Sequence, residues 1–492
     1  MSAEIRDFDQ VVLPLVDGTL SKSLSEAVVE VICPWNGQCF LSIPAGCDAD
    51  VDRAVTSARR AFDDGRWSEA PPSFKKNTLS HLAALIEDNA PALDSMDAGE
   101  MGKPVGEAFG NASAAARLMR FYSEAVDKVS GDVYGSDQHS LVLQRRVPRG
   151  VVAAVVPWNF PTFNAVLKVA PALAAGNCVV LKPSELSSRS AIRLGQLALQ
   201  AGVPSGVLNV VPGLGKTVGR ALGLHSSVDM VAFTGSVEVG KQMLQYAGQS
   251  NMKVVMAECG GKSPHIVFED SVDLDAIAQR IAQELLTNQG QICSVGSRLL
   301  VQRSIETSLL EGIIAQFSRI IMGDPLDPKT TFGPLASAKQ YSQVMRYINN
   351  AEADGAQLVA GGRRALPHTG GYFVEPTVFR NVPADARIAQ QEIFGPVLSV
   401  IQFQDEEEAI RIANGTVYGL TASVWTSNLS TGMRMAKQLR SAVLVNATAQ
   451  IGEGPGDAFS SEPTGQSGVG TEGGMAGMES YLRRQLIWFN HA

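Results

Sequence analysis

Basic charge is the first thing this chain has too little of. Its 492 residues carry 41 Lys and Arg against 49 Asp and Glu, a formal net charge of -8, and the cations are scattered except in "LQRRVPRG" at 143–150. Nucleic-acid binding needs a basic face or stripe, so polynucleotide partners are excluded and a small-molecule partner is expected. Long apolar runs are also missing: no stretch approaches about 18 uninterrupted apolar residues. The start, "MSAEIRDFDQ", has no basic segment followed by an apolar run and a small-residue cleavage site. No membrane association is expected, and the chain is assigned to the cytoplasm. Cysteine is scarce: Cys33, Cys39, Cys47, Cys178, Cys259 and Cys293, with no C-x-x-C spacing. That pattern excludes a disulfide framework and argues against zinc; reduced thiols and no metal are expected. The absence of a fixed-period repeat or low-complexity tract removes solenoids and disordered tails.

What remains is 45% hydrophobic and 18% charged, ample for a packed core and too long for one ordinary domain; two or three domains are expected. Apolar residues recur at helical spacing over 48–65 and 73–96, after Asp or Ser caps. "SLVLQRRV" alternates as a half-exposed strand does, and the buried-looking "GVVAAVVPW" follows it. Then "NCVVLKPS", "GVLNVVPG", "DMVAFTGS" and "NMKVVMAE" alternate with helical segments at 162–175, 187–201, 217–224 and 237–248, the signature of a parallel sheet with helices on both faces. After Gly260 the alternation restarts with "HIVFED", a helix over 273–287, "SRLLVQ" and a helix over 305–320, predicting a second α/β domain. A Pro/Gly-rich connector, "MGDPLDPKTTFGPL", and further helix and strand lead to a long loop at 447–470 and a final strand, "YLRRQLIWF". That strand and "SLVLQRRV", lying outside both sheets, suit subunit contact through exposed edges.

Several stretches hold side chains fit for chemistry. "VVPGLGKTVGRAL" follows a strand and opens a helix, but its third glycine is Gly219 where the usual dinucleotide fingerprint wants glycine at Val218. A plain turn and cap explains it equally well. One strand earlier, "LKPSEL" puts Lys182 and Glu185 at a strand end. An acid there accepts both adenosine-ribose hydroxyls and repels a 2'-phosphate, favouring NAD over NADP; a helix start capped by Ser184 is the plainer alternative. "AFTGSVEVGK" repeats the strand, glycine and helix order with Gly235 and Ser236, whose helix N–H groups suit a phosphate. In "AVVPWNFPTFN", Pro157 and Pro161 restrict the backbone around Trp158 and Asn159, so the Asn159 amide is either a fixed donor or a turn residue bonded to its own backbone. Glu258 in "AECGGKSPH" stands beside Gly260 and Gly261; partly buried it would be a general base, otherwise a solvated strand-end charge. Cys293 follows the polar "NQGQ" turn instead of lying within an apolar run. Most lone cysteines are inert small hydrophobes, but this position gives access. The six histidines flank nothing that looks like a cysteine hydrolase motif.

As an ordered set, "PWNFP", "LKPSE", "FTGS", "ECGGKSP", "NQGQICSVGSRLLV" and "EIFGPV" resemble the NAD(P)-dependent aldehyde dehydrogenase superfamily, from about residue 31 to the end. The resemblance implies the aldehyde dehydrogenase fold: a Rossmann-like parallel-sheet NAD-binding domain (1–128 and 150–260), a second α/β catalytic domain (261–470) and a small β oligomerisation arm (129–149 and 471–492). It implies NAD-dependent oxidation of an aldehyde to the acid, with Cys293 as nucleophile, Asn159 as oxyanion donor and Glu258 as base for the deacylating water. Lys168 matches a family lysine near the site, structural or electrostatic in role. Cofactor contacts carry over to Pro157, Trp158, Lys182, Glu185, Gly215, Gly219, Phe233, Gly235, Ser236, Glu392 and Phe394. The pocket would include Phe163, Asn164, Leu167 and Phe459, and the assembly would be a homodimer or homotetramer.

Three departures stand out. The family's "ELGGK" is "ECGGK" here, Gln391 replaces a common Glu, and the usual "PFGGxKxSG" reads "SSEPTGQSG". Because that last loop helps form the substrate mouth, the family's substrate assignments do not transfer, although enzymes oxidising γ-glutamylaminobutyraldehyde and related amino or aromatic aldehydes are similar over the whole chain. Two competing functions are a CoA-acylating semialdehyde dehydrogenase, which would lack the base Glu258, and a catalytically silent binding protein of the same fold, which would have lost one of Cys293, Glu258 or Asn159.

Overall fold

A computed structural model describes residues 12–448 and 457–490. The first sheet has eight strands, in spatial order Thr19–Leu20, Leu15–Val16, Leu208–Val210, Cys178–Lys182, Val151–Val155, Met230–Thr234, Val254–Glu258 and Gly468–Val469. The five central strands are parallel, and the short strands at both edges run antiparallel. Val151–Val155 and Cys178–Lys182 are buried at every position, as parallel strands covered on both faces must be. Each such Val or Leu contributes about 1.5–3 kcal/mol by leaving water. From Val151–Val155 the chain winds outward through Cys178–Lys182 to Leu208–Val210, then returns to the other side at Met230–Thr234. The winding reverses between Val151–Val155 and Met230–Thr234, and ligands of open α/β sheets bind at the carboxyl ends of strands flanking such a reversal.

The second sheet runs Gln357–Ala360, Thr377–Arg380, Val397–Phe403, Arg298–Gln302, Pro264–Val267, Thr421–Trp425 and Ala442–Val445. All but the first strand are parallel. Apolar clusters fill both of its faces. A third sheet pairs Leu482–Asn490 with Ser140–Pro148 and Asp132–Val133, antiparallel, with nine register pairs from Leu482–Pro148 to Asn490–Ser140. Among the described residues no helix is long and apolar enough to cross a membrane. All six cysteines are free.

Several elements differ from the expected ones. The single helix expected over 73–96 is two, Pro72–Asp88 and Ala90–Met101. Asn89 ends the first by donating its side-chain amide to Leu85 O at 2.8 Å, and Pro91 has no N–H with which to continue the ladder. The first long helix, Asp48–Asp63, is preceded by Cys47, with Asp48 in the first turn and no side-chain cap. The segment expected as a helix over 217–224 begins as a wide turn, Gly215–Gly219, before Arg220–Leu224; Thr217 Oγ1 bonds the carbonyls of Leu214 (3.2 Å) and Ala45 (3.3 Å). Part of the long loop, 449–456, lies outside the described residues. Its far end is ordered: Thr464–Gly465 pairs with Tyr418–Gly419, and Gly468–Val469 adds an edge to the first sheet.

Candidate active site

The motifs singled out in the sequence converge at the carboxyl ends of the strands that flank the reversal. Val151–Val155 leads to Pro157, Trp158 and Asn159, and Met230–Thr234 leads to Gly235 and Ser236. Glu258 is the last residue of the next strand, Val254–Glu258, and is buried. The Gly-Gly that follows it is demanded by close approach. A Cβ on Gly260 would stand 2.1 Å from Glu392 Oε2, and one on Gly261 would stand 2.5 Å from Cys293 O. The chain thus passes between the nucleophile candidate and the Glu392 carboxylate, and Gly261 N–H donates to Glu392 Oε1 at 3.1 Å.

Cys293 is half-buried beyond a turn, Thr287–Gly290, in which Asn288 (φ +45°) and Gln289 (φ +55°) are both left-handed. Non-glycine residues held there cost of order 1–3 kcal/mol each and need surrounding contacts to hold them. Asn288 Nδ2 donates to Asn159 O (2.8 Å), Gln291 Nε2 to Asn288 O (3.1 Å), and Ala336 N–H to Gln291 Oε1 (3.0 Å). The Asn159 side chain is locked as well. Its Nδ2 donates one hydrogen to Gln291 O at 3.1 Å, and its Oδ1 accepts from Asn164 Nδ2 at 3.2 Å. The second Nδ2 hydrogen is therefore aimed by two contacts. The turn reading, in which Asn159 bonds its own backbone, is not what the structure contains. Asn164 serves here as the support of Asn159, a role its sequence context did not suggest.

Electrostatics mark the same place. Burial pushes the Cys293 thiol up to about 12, and the carboxylates of Glu392, Glu258 and Glu472 add to the rise. Burial also raises Glu258 well above the ordinary carboxylate range, with Glu472 pushing the same way and the Lys168 ammonium opposing. One Glu258 oxygen, Oε1, is buried without a hydrogen-bond partner. Lys168 is fully buried and forms an ion pair with Glu472. Glu472 is the residue the sequence reading missed: its partner is 304 positions away, and no local motif surrounds it.

The residues nominated for a nucleotide lie along the same edge. Lys182 Nζ is 3.3 Å from Glu185 Oε2, with the lysine buried and the acid a third exposed. Helix Arg189–Ala201 begins only after Ser188, so Ser184 and Glu185 form a turn before it and Ser184 is not its cap. Ser236 caps Val237–Gln249, its hydroxyl accepting Val239 N–H at 3.4 Å. The Phe233 ring lies under Gly235, where a Cβ would meet it at 2.5 Å. Gly215 is exposed with nothing near its Cβ position, whereas Gly219 is buried against Met243. Gly213, not nominated, is the strained glycine (φ +146°), its Cβ position 2.6 Å from Ala45 O. Phe394 is left-handed (φ +57°), held by Gln340 Nε2 on its carbonyl at 2.7 Å, and its ring meets Trp158 edge to face at 5.4 Å. Burial lifts the Glu392 carboxyl to about 7. A helix N-terminus, an open glycine turn and a strand-end acid at a winding reversal fit a dinucleotide. Of the four pocket residues, Phe163 and Asn164 are buried, Leu167 is partly buried and Phe459 is exposed.

The aldehyde dehydrogenase family model matches residues 20–487. This chain belongs to the aldehyde dehydrogenase family. It is 40% identical over 480 residues to the NADP/NAD-dependent aldehyde dehydrogenase PuuC of Escherichia coli (strain K12), covering 96% of this chain and 95% of that one. It is 40% identical over 464 residues to aminoacetaldehyde dehydrogenase of Pseudomonas aeruginosa, covering 93% and 91%. Among solved structures it is similar to an indole-3-acetaldehyde dehydrogenase in complex with NAD+, with TM-score 0.96, 44% identity and coverage of 99% and 98%. The fold is therefore that of the aldehyde dehydrogenases, and the reaction class follows: NAD-dependent oxidation of an aldehyde by an oxidoreductase of this family.

Proposed function

We propose that Cys293 is the nucleophile of this dehydrogenase, Asn159 its oxyanion donor and Glu258 its deacylating base. The observation that carries the reading is the convergence of a half-buried thiol, a doubly tethered amide and a buried carboxylate with a free oxygen. The Cys293 thiol gives its proton to water, and the resulting thiolate adds to the aldehyde carbon, forming a C–S bond and moving the carbonyl electron pair to oxygen. That oxyanion is met by the free Asn159 Nδ2 hydrogen and by the Cys293 backbone N–H. Bound NAD would supply the hydride acceptor; loss of hydride from the carbon bonded to Cys293 re-forms the C=O bond and leaves a thioester on the sulfur. Glu258 then takes a proton from water, hydroxide attacks the thioester carbon, and the C–S bond breaks to give the acid and free the sulfur. Lys168 and Glu472 set the charge around that base without touching the reacting carbon.

For the cofactor, Lys182 and Glu185 would hold the adenosine ribose, and Glu185 would favour NAD by repelling a 2'-phosphate. Gly215, Gly235 and Ser236 would receive the pyrophosphate, backed by Gly219 and Phe233; Pro157 and Trp158 would wall the ring, and Glu392 with Phe394 would take the nicotinamide ribose. Phe163, Leu167 and Phe459 would line the aldehyde entrance. The division into an NAD-binding domain (1–128, 150–260), a catalytic domain (261–470) and an oligomerisation arm (129–149, 471–492) belongs to the same reading, as does a cytoplasmic location. Glu258 disfavours the CoA-acylating alternative, and the complete set of Cys293, Glu258 and Asn159 disfavours a silent protein. The test is NADH formation with aliphatic, aromatic and amino aldehydes, comparing kcat/KM. Turnover by the wild type and none by Cys293→Ala is expected; full turnover by the alanine variant, or a requirement for CoA, would contradict the reading.

A further inference from the structure

The turn that precedes Cys293 and braces Asn159 hangs on a carboxylate that no motif advertises. Glu107 lies in the loop between helices Ala90–Met101 and Ala112–Ala125, and its Oε2 accepts the Asn288 backbone N–H at 2.9 Å. Asn288 is fully buried and left-handed, two residues past helix Leu274–Leu286. Such an N–H has left the helical ladder and needs an acceptor. The Asn288 side chain then donates to Asn159 O (2.8 Å) and more weakly to Gln291 O (3.4 Å), the carbonyl that also receives Asn159 Nδ2 (3.1 Å). One carboxylate oxygen thus fixes the residue that ties the oxyanion amide to the segment just ahead of Cys293.

The Glu107 loop is anchored from a second side. Lys103 Nζ donates to the carbonyls of Glu107 (3.2 Å) and Phe109 (3.3 Å) and stands 6.0 Å from the Phe160 ring, which Phe109 meets edge to face at 5.2 Å. Phe160 is the neighbour of Asn159, so the loop grips both ends of the Asn159 support. The other Glu107 oxygen, Oε1, is buried without a hydrogen-bond partner, so among the described residues the carboxyl's hydrogen bond is the one to the Asn288 turn. We infer that Glu107 is a positioning residue: it holds the Asn288 turn and through it sets the Asn159 amide and Cys293 for acylation. This rests on the roles proposed above for Cys293 and Asn159. Burial lifts the Glu107 carboxyl to about 7 against the pull of Lys103 and the Asn288 N–H, so an uncharged amide is a close substitute.

The test is a single-turnover experiment with NAD and aldehyde, quenched in acid, that reads the rate constant and the amplitude of acyl formation on Cys293. In Glu107→Gln the amide oxygen still accepts from Asn288, and the acylation rate constant stays within about twofold of wild type. Glu107→Leu fills the space without an acceptor and slows acylation about tenfold or more, with KM for NAD unchanged. A merely structural role would lower the amplitude, which counts intact sites, and leave the rate constant alone. Should the leucine variant fail to fold, Glu107→Ala is read in the same way. Acylation at the wild-type rate in the leucine or alanine variant, or a glutamine variant as slow as they are, overturns the inference. Absence of acyl-Cys293 in the wild type itself would instead overturn the reading of the site, and the inference with it.

Discussion

Glu258, Glu392 and Glu472 crowd one poorly solvated region with Cys293. Each negative charge makes the next proton harder to remove, which keeps the thiol protonated and the base weakly acidic. A base must be ionised to take a proton, so kcat should fall as pH drops through the Glu258 pKa, and that limb should sit well above the ordinary carboxylate range. Glu472→Gln removes a carboxylate that raises Glu258 and leaves the Lys168 ammonium without its anionic partner. Both changes favour ionised Glu258, so the acid limb of kcat should move to lower pH. A profile of kcat against pH for the two proteins checks this, and a limb that stays in place or moves upward contradicts it. Cys259, next to the base, is a buried thiol that burial has pushed up to about 12, and its Sγ packs where a Cβ on Gly240 would stand.

At the scale of elements, the site is built where strands end and something tight follows. At the glycine pair after Val254–Glu258 the approach is close, because a Cβ on Gly260 would stand 2.1 Å from Glu392 Oε2 and a methyl group on Gly261 would meet the Cys293 carbonyl at 2.5 Å. Gly261→Ala must therefore displace the segment that presents the nucleophile. Overpacking of this kind costs about 1–3 kcal/mol in stability, but a displaced nucleophile costs about 10²-fold in rate. The expected outcome is a folded protein with a modestly lower Tm and kcat/KM down by about that factor; unchanged kcat/KM would contradict the close approach. These junctions were legible in sequence because strand, glycine and helix follow one another locally, as at Gly235 and Ser236. The strained turns were not. Asn288, Gln289 and Phe394 take left-handed backbone without glycine, which only long-range contacts such as Glu107–Asn288 and Gln340–Phe394 enforce. Local periodicity carries no trace of a partner 181 residues away, and the same distance problem hid Glu472. The helix expected over 217–224 is present as α-helix over Arg220–Leu224, its start replaced by the wider turn Gly215–Gly219, where Thr217 Oγ1 reaches the distant Ala45 carbonyl.

For the whole molecule, Leu482–Asn490 is an edge strand of the third sheet, with no further strand beside it among the described residues. Leu486 and Trp488 alternate along one face of Leu482–Asn490, and both are more than half exposed, as is Phe489. An open apolar edge strand invites another strand, which supports the proposed homo-oligomer. Light scattering should give a dimer or tetramer for the wild type and a smaller species for Leu486→Ser combined with Trp488→Ser; a monomeric wild type would remove the assembly proposal while leaving the chemistry intact. The whole account turns on a covalent event at one sulfur. The most direct measurement is therefore mass spectrometry of the peptide containing residue 293 after acid quench during turnover with aldehyde and NAD. A mass increase equal to the acyl group, on Cys293 and accumulating further in Glu258→Gln, is the predicted result. An unmodified Cys293 peptide while NADH is being formed, or acyl found on another residue, would contradict it.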